Sequence, residues 1–145
     1  MGQQQLLLLV LGIVIVGLAV VVGINAFSEN RIKSNTDALV TDALRITSDL
    51  QAWALKPAQF GGMAEATIAA AQAAGSITFD ALGYPNSSGT YTNVNGDFTL
   101  SGSSACTGPT GDVFVNATNA DIGNNVCIGV SGTTAADINT VVEYP

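Results

Sequence analysis

The chain has 145 residues, with four basic side chains, eleven acidic ones and no histidine. That length suits one compact domain plus an additional element, and the missing histidine removes the commonest general base and the commonest metal ligand. All four bases (Arg31, Lys33, Arg45, Lys56) lie within residues 1–56, where Glu29, Asp37, Asp42 and Asp49 balance them; residues 57–145 carry seven acids and no base. A segment without Lys or Arg cannot neutralise phosphates and is a poor candidate for nucleic-acid binding. Its acidity reads as a solubility device.

The first element is an uncharged apolar run from Leu6 to Ile24, preceded only by Met1, Gly2 and Gln3-Gln4-Gln5. Roughly 20 apolar residues of helix, at about 1.5 Å each, cover a bilayer core. No base stands before the run, and no small-residue cleavage site follows it, so it does not read as a signal peptide. An anchor with its C-terminal side outside would want positive charge in front. The expectation is that a short basic leader has been removed and that the new N-terminus is buried.

The run continues without proline as far as Pro57. From Leu39 the apolar positions Leu39, Ala43, Ile46, Leu50 and Trp53 follow an a/d spacing, with Ile32 before them. Asp37, Asp42, Arg45 and Asp49 are placed on the opposite face. Glu29 stands four residues before Lys33, the favourable order for a helical ion pair. Lys56 and then Pro57 end the pattern. Residues 3–56 therefore read as one helix of about 80 Å. Residues 1–27 are apolar all round and call for lipid or other helices. Residues 28–56 are amphipathic and should pack on the chain's own globular part. Gly12, Gly17 and Gly23 lie in the apolar half. Small residues let neighbouring helices approach; with the flanking β-branched residues they also allow local unwinding.

Residues 57–145 form the expected head. Phe60-Gly61-Gly62 is a turn, and residues 63–74 are Ala-rich and read as a short helix closed by Gly75. Period-two patterning follows. Ser76–Ala81 is a candidate first strand. Tyr91–Val94 and Asp97–Leu100 flank Asn95-Gly96, a strong hairpin signal. Asp112–Ala117, Val126–Val130 and Ile138–Tyr144 complete the set, separated by polar loops at 84–90, 101–110 and 116–125. The fold class is α+β: a long N-terminal helix on an antiparallel sheet of four or five strands, one face of which covers the amphipathic half. Cys106 and Cys127 suggest an extracytoplasmic disulfide, worth about 3 kcal/mol in the chain-entropy model.

A buried N-terminus, an apolar-then-amphipathic helix, a small linker region and a disulfide-tied sheet together resemble the type IV pilins. The sequence-specific part of the resemblance lies in residues 1–26. It implies a leader cut by a prepilin peptidase, a methylated Met1, and polymerisation through Met1, Gln5, Leu6, Leu9, Ile13, Val16, Val20 and Ile24. The family usually has glutamate where this chain has Gln5, and a proline near the end of the apolar run where this chain has Gly23. A neutral amide can still accept from an ammonium. With Met1 as initiator and cleavage after Gly2, the corresponding position becomes Leu7.

The implied function is a structural subunit of an extracellular filament, a homopolymer drawn by the assembly machinery from the inner membrane, with no cofactor. The alternatives are a minor pilin or pseudopilin of a secretion or uptake machine, and a membrane-tethered exported enzyme. The last is weak: Ser87-Ser88 and Ser103-Ser104 have no recognisable base, and Asp97, Asp112 and Asp121 read as solvated acids at strand ends. Residues 116–125, with Asp121 and several Asn side chains, offer oxygen ligands for Ca²⁺ but lack the ordered acid spacing of a calcium loop. Asn86-Ser87-Ser88 and Asn116-Ala117-Thr118 match N-glycosylation acceptors.

Overall fold

A computed structural model describes residues 2–144. Helix α1 runs from Gly2 to Leu55 without interruption. Its glycines do not break it, because a glycine lowers helix preference without removing a backbone donor. The helix ends where Pro57 takes an extended conformation (φ −61°, ψ 145°). Trp53 Nε1 donates to the Gly61 carbonyl at 3.0 Å, folding the turn back onto the last helical residues.

The chain divides into two compact units, Met1–Ser34 and Asn35–Pro145. The division falls inside α1 rather than at its end, because residues after Asn35 share the core of the C-terminal unit. Thr36, Leu39, Ala43, Ile46, Thr47, Leu50, Trp53 and Ala54 are the buried positions of α1, so the a/d seam read from the sequence is the packed seam. The face opposite is less simply solvated than expected. Asp42 accepts from the side-chain amides of Asn93 (2.8 Å) and Asn95 (2.7 Å), and Asp49 accepts from the Tyr84 hydroxyl. These acids flank the seam and fasten the loops beside it.

Beyond α1 come α2 (Ile68–Ala74) and α3 (Phe79–Leu82), then β1 (Thr90–Thr92), β2 (Asp97–Ser101), β3 (Val113–Asn119), β4 (Asn124–Val130) and β5 (Ile138–Glu143). The strands form one antiparallel sheet in sequential order. Leu39, Ala43 and Ile46 pack with Phe79, Phe98, Val115, Ala117, Val126 and Ile128. Leu50, Trp53 and Ala54 pack with Ile68, Ala71, Ile77, Val113 and Val130. The α+β arrangement is therefore as the periodicity indicates.

Three local expectations are corrected. Ser76–Ala81 is not a strand. The Thr78 side chain accepts from Ala81 N, Gly83 closes the turn at φ 81°, and Phe79–Leu82 is helical. Ile77 and Phe79 are both buried, so the alternating pattern reported burial and not sheet pairing, and the cap decided the backbone. The helix expected over residues 63–74 begins only at Ile68, where Thr67 caps it, and ends at Gly75 as expected. Strand β1 stops at Thr92, so Val94 is a turn residue. Asn93 Oδ1 accepts from the backbone amides of Asn95 and Gly96, and that Asx turn takes over the chain before the ladder reaches Asn95.

Residues 116–125 are likewise mostly strand. Pairing runs through Asn116↔Cys127 to Asn119↔Asn124. Only a tight turn remains, in which Asn119 Oδ1 accepts from Asp121 N and Ile122 N.

Candidate assembly site and the head that carries it

The apolar half of α1 is exposed throughout. Leu6, Leu9, Ile13, Val16, Val20 and Ile24 are each 55–67% accessible, and Gln5 is exposed beside them. Met1 lies outside the described residues. A Cβ added at Gly12, Gly17 or Gly23 would meet nothing within 4 Å. Leu and Val side chains clothe every side of this segment, and they are exposed among the described residues. By length and composition α1 can cross a membrane. An apolar surface of this extent is stable only in contact with lipid or with other apolar groups.

The head carries the disulfide. Cys106 and Cys127 are bonded, with Cα atoms 5.9 Å apart. Cys127 sits in β4 directly opposite Asn116 in β3, and the two together pin residues 101–112 over the outer face of the sheet. Asn116 Nδ2 donates to Ser101 Oγ and the Ser103 carbonyl, both at 3.1 Å, while its Oδ1 accepts from Ala105 N at 3.0 Å. Both faces of β3 and β4 are thus buried. Sequence reading covered only the inner face, since a loop of Ser, Thr and Gly gives no periodic signal of the face it lies on.

Burial also sorts the two glycosylation motifs. Asn116 is 5% exposed, with both side-chain polar atoms committed, so it is not placed as an accessible acceptor. Asn86 is half-buried; its amide donates to Asp80 at 2.7 Å.

The aromatic side chains missed as a group in the sequence are gathered on one side of the head. Phe79, Tyr84, Tyr91 and Phe98 form a chain of ring contacts with centroids 5.0–6.1 Å apart. The Tyr84 phenol is pushed up to about 12, first by desolvation and then by its hydrogen bond to Asp49. Among the described residues, no three His, Cys, Asp or Glu side chains are grouped to hold a metal ion.

A long N-terminal helix with an exposed apolar half, followed by an antiparallel sheet with one disulfide, is compatible with a pilin-like fold. The chain matches no protein-family model, and no curated protein or solved structure is significantly similar to it.

Proposed function

We propose that the protein is the structural subunit of an extracellular filament of the type IV pilus kind. The observation that carries this reading is the all-round exposure of Leu6–Ile24 on the same unbroken helix whose later residues build the core of a disulfide-tied head. Before assembly the apolar half lies in a membrane, from which the assembly machinery draws it. Leaving that membrane requires other apolar surface in place of lipid, and copies of the same helix supply it on every side. Contacts of this heterologous kind do not close, and they generate open helical polymers. Residues 1–27 then form the filament core, and the head forms its surface.

The test is Val16→Asp in the full-length chain. An unpaired carboxylate in a core that excludes water costs several kcal/mol, and surface filaments are expected to disappear. Formation of the Cys106–Cys127 bond in the same variant reports that the head has folded. Normal filaments from Val16→Asp would refute a buried role for this segment.

A further inference from the structure

The C-terminal unit, Asn35–Pro145, holds two basic side chains, Arg45 and Lys56, against ten acidic ones. Both bases line one groove of about 590 Å³, together with Trp53, Tyr84, Tyr91 and Asp49. Arg45 and Lys56 are exposed. Asp49 is half-buried, and the Tyr84 hydroxyl already engages its carboxylate. The unit's whole positive charge is therefore gathered in a single concave site lined by aromatic rings.

A different end of the sheet is acidic and exposed. The β1–β2 and β3–β4 turns lie side by side there, joined by Asn119 Nδ2 donating to the Asn95 carbonyl at 2.7 Å. Val94 at the tip is 100% exposed, and Asp97 and Asp121 are exposed with it, lining one shallow depression. This end is fixed to α1 at the level of Asn35 and Asp42. The groove is fixed at Arg45 to Lys56. From Asp42 to Leu55 the helix rises about 20 Å. One copy therefore presents its acidic sheet end and its basic groove at different levels along α1, so that copies stacked in parallel can seat one in the other by a heterologous contact.

We infer that the Arg45–Lys56 groove receives the acidic sheet end of a second copy of this chain, with Val94, Asp97 and Asp121 entering it. This rests on the filament reading and adds a head-to-head contact to it. Heads this acidic repel one another when they are packed on a filament surface. Seating the acidic sheet end against the two cations of the C-terminal unit turns that repulsion into an oriented attraction, and it sets the register between successive heads. Like-charge juxtaposition at such a contact is strongly unfavourable, whereas complementary charge selects the partner.

The experiment compares sheared surface filaments from cells making full-length wild type, R45E/K56E, D97K/D121K and the quadruple variant. Each double variant is expected to lower filament yield roughly tenfold or more by placing like charges together. The quadruple variant, which exchanges the signs, is expected to restore it. Formation of the Cys106–Cys127 bond confirms folding in each case. If a reversal prevents folding, the neutral pair R45Q/K56Q takes its place and must still lower the yield. Wild-type yield from R45E/K56E, or a folded quadruple variant that stays as poor as the doubles, overturns the contact and leaves the filament reading intact. Absence of filaments from the wild type overturns both.

Discussion

The hydroxyl of Tyr84, one residue past the cap of α3, donates to the carboxylate of Asp49 on α1. This bond ties the short α3 turn to the amphipathic half of α1, and it places Tyr84 against Tyr91 with ring centroids 5.0 Å apart. Burial and the neighbouring carboxylate both oppose ionisation, which lifts the phenol to about 12. A group whose folded pKa is raised contributes stability that is complete below its unfolded value, about 10 for Tyr. That contribution is lost as the pH climbs through the folded value. Ultraviolet titration should therefore show a phenol ionising near pH 12, and Tyr84→Phe should remove that step. Near neutral pH the same variant is expected to lose about 1 kcal/mol of stability for the missing hydrogen bond.

Replacing Asn116 tests how residues 101–112 are held. Asn116→Ala strips partners from Ser101 Oγ, the Ser103 carbonyl and Ala105 N at once. Leaving such groups unsatisfied costs about 1–3 kcal/mol. Urea unfolding of the full chain in detergent should register that loss. A cost near zero would mean that water takes over these contacts and that Asn116 does not organise the segment.

Cys106→Ser/Cys127→Ser removes the second fastening of the same segment. The chain-entropy model sets the loss at about 3 kcal/mol. Intact wild-type filaments should weigh two hydrogens less per chain than after reduction. Finding both thiols open to alkylation without reductant would contradict the bond.

Two glycines should respond in opposite ways to alanine. At Gly129 in β4 a Cβ would lie 2.2 Å from the Thr110 carbonyl oxygen and 3.1 Å from Phe114 Cε1. Gly129→Ala must push residues 101–112 off the sheet, at a cost of about 1–3 kcal/mol. Gly12 is open on all sides, so Gly12→Ala should raise helix stability in the detergent-bound monomer by up to about 1 kcal/mol. Circular dichroism during thermal unfolding separates the two. If Gly12→Ala also abolishes filaments, the glycine is needed for close helix approach in the polymer.

Gln5 stands where the resembled family carries a charged partner for the neighbouring N-terminus. A charged contact is roughly twice as strong as a neutral one, but burying a carboxylate carries its own desolvation cost. The filament reading expects Gln5→Leu to lower filament yield, because the amide then supplies a needed hydrogen bond. Equal yield from Gln5→Leu removes that role. Higher yield from Gln5→Glu would show that charge neutralisation is still favoured at the site.

The long helix, its apolar half and its packed seam were legible in the sequence because each is a local periodicity. Leu39, Ala43, Ile46, Leu50 and Trp53 repeat at the helix's own pitch, and Pro57 stops the chain for a reason contained in its ring. Most of the strand set was legible in the same way, and the cysteine bond followed from an even count in a segment beyond an apolar anchor. What periodicity could not reveal was which burial belonged to which backbone. Ile77 and Phe79 alternate like a strand and are buried as expected, but the Thr78 cap and Gly83 make the segment helical. Val94 reads as a strand residue, yet the Asn93 side chain turns the chain first.

The groove of Arg45 and Lys56, the chain of aromatic rings and the outer cover pinned by Asn116 and Cys127 were decided only by tertiary structure. Each joins residues far apart in the chain through side chains that carry no periodic signal. Local propensity and spacing fixed the elements, whereas long-range packing and hydrogen bonding fixed which charges and rings became neighbours. The sequence alone set both bases of the C-terminal unit within twelve residues of each other, Arg45 on α1 and Lys56 just past its end. Only the fold made the two of them line one groove, because it brings Ala81, Leu82, Tyr84 and Tyr91 beside that stretch of the chain.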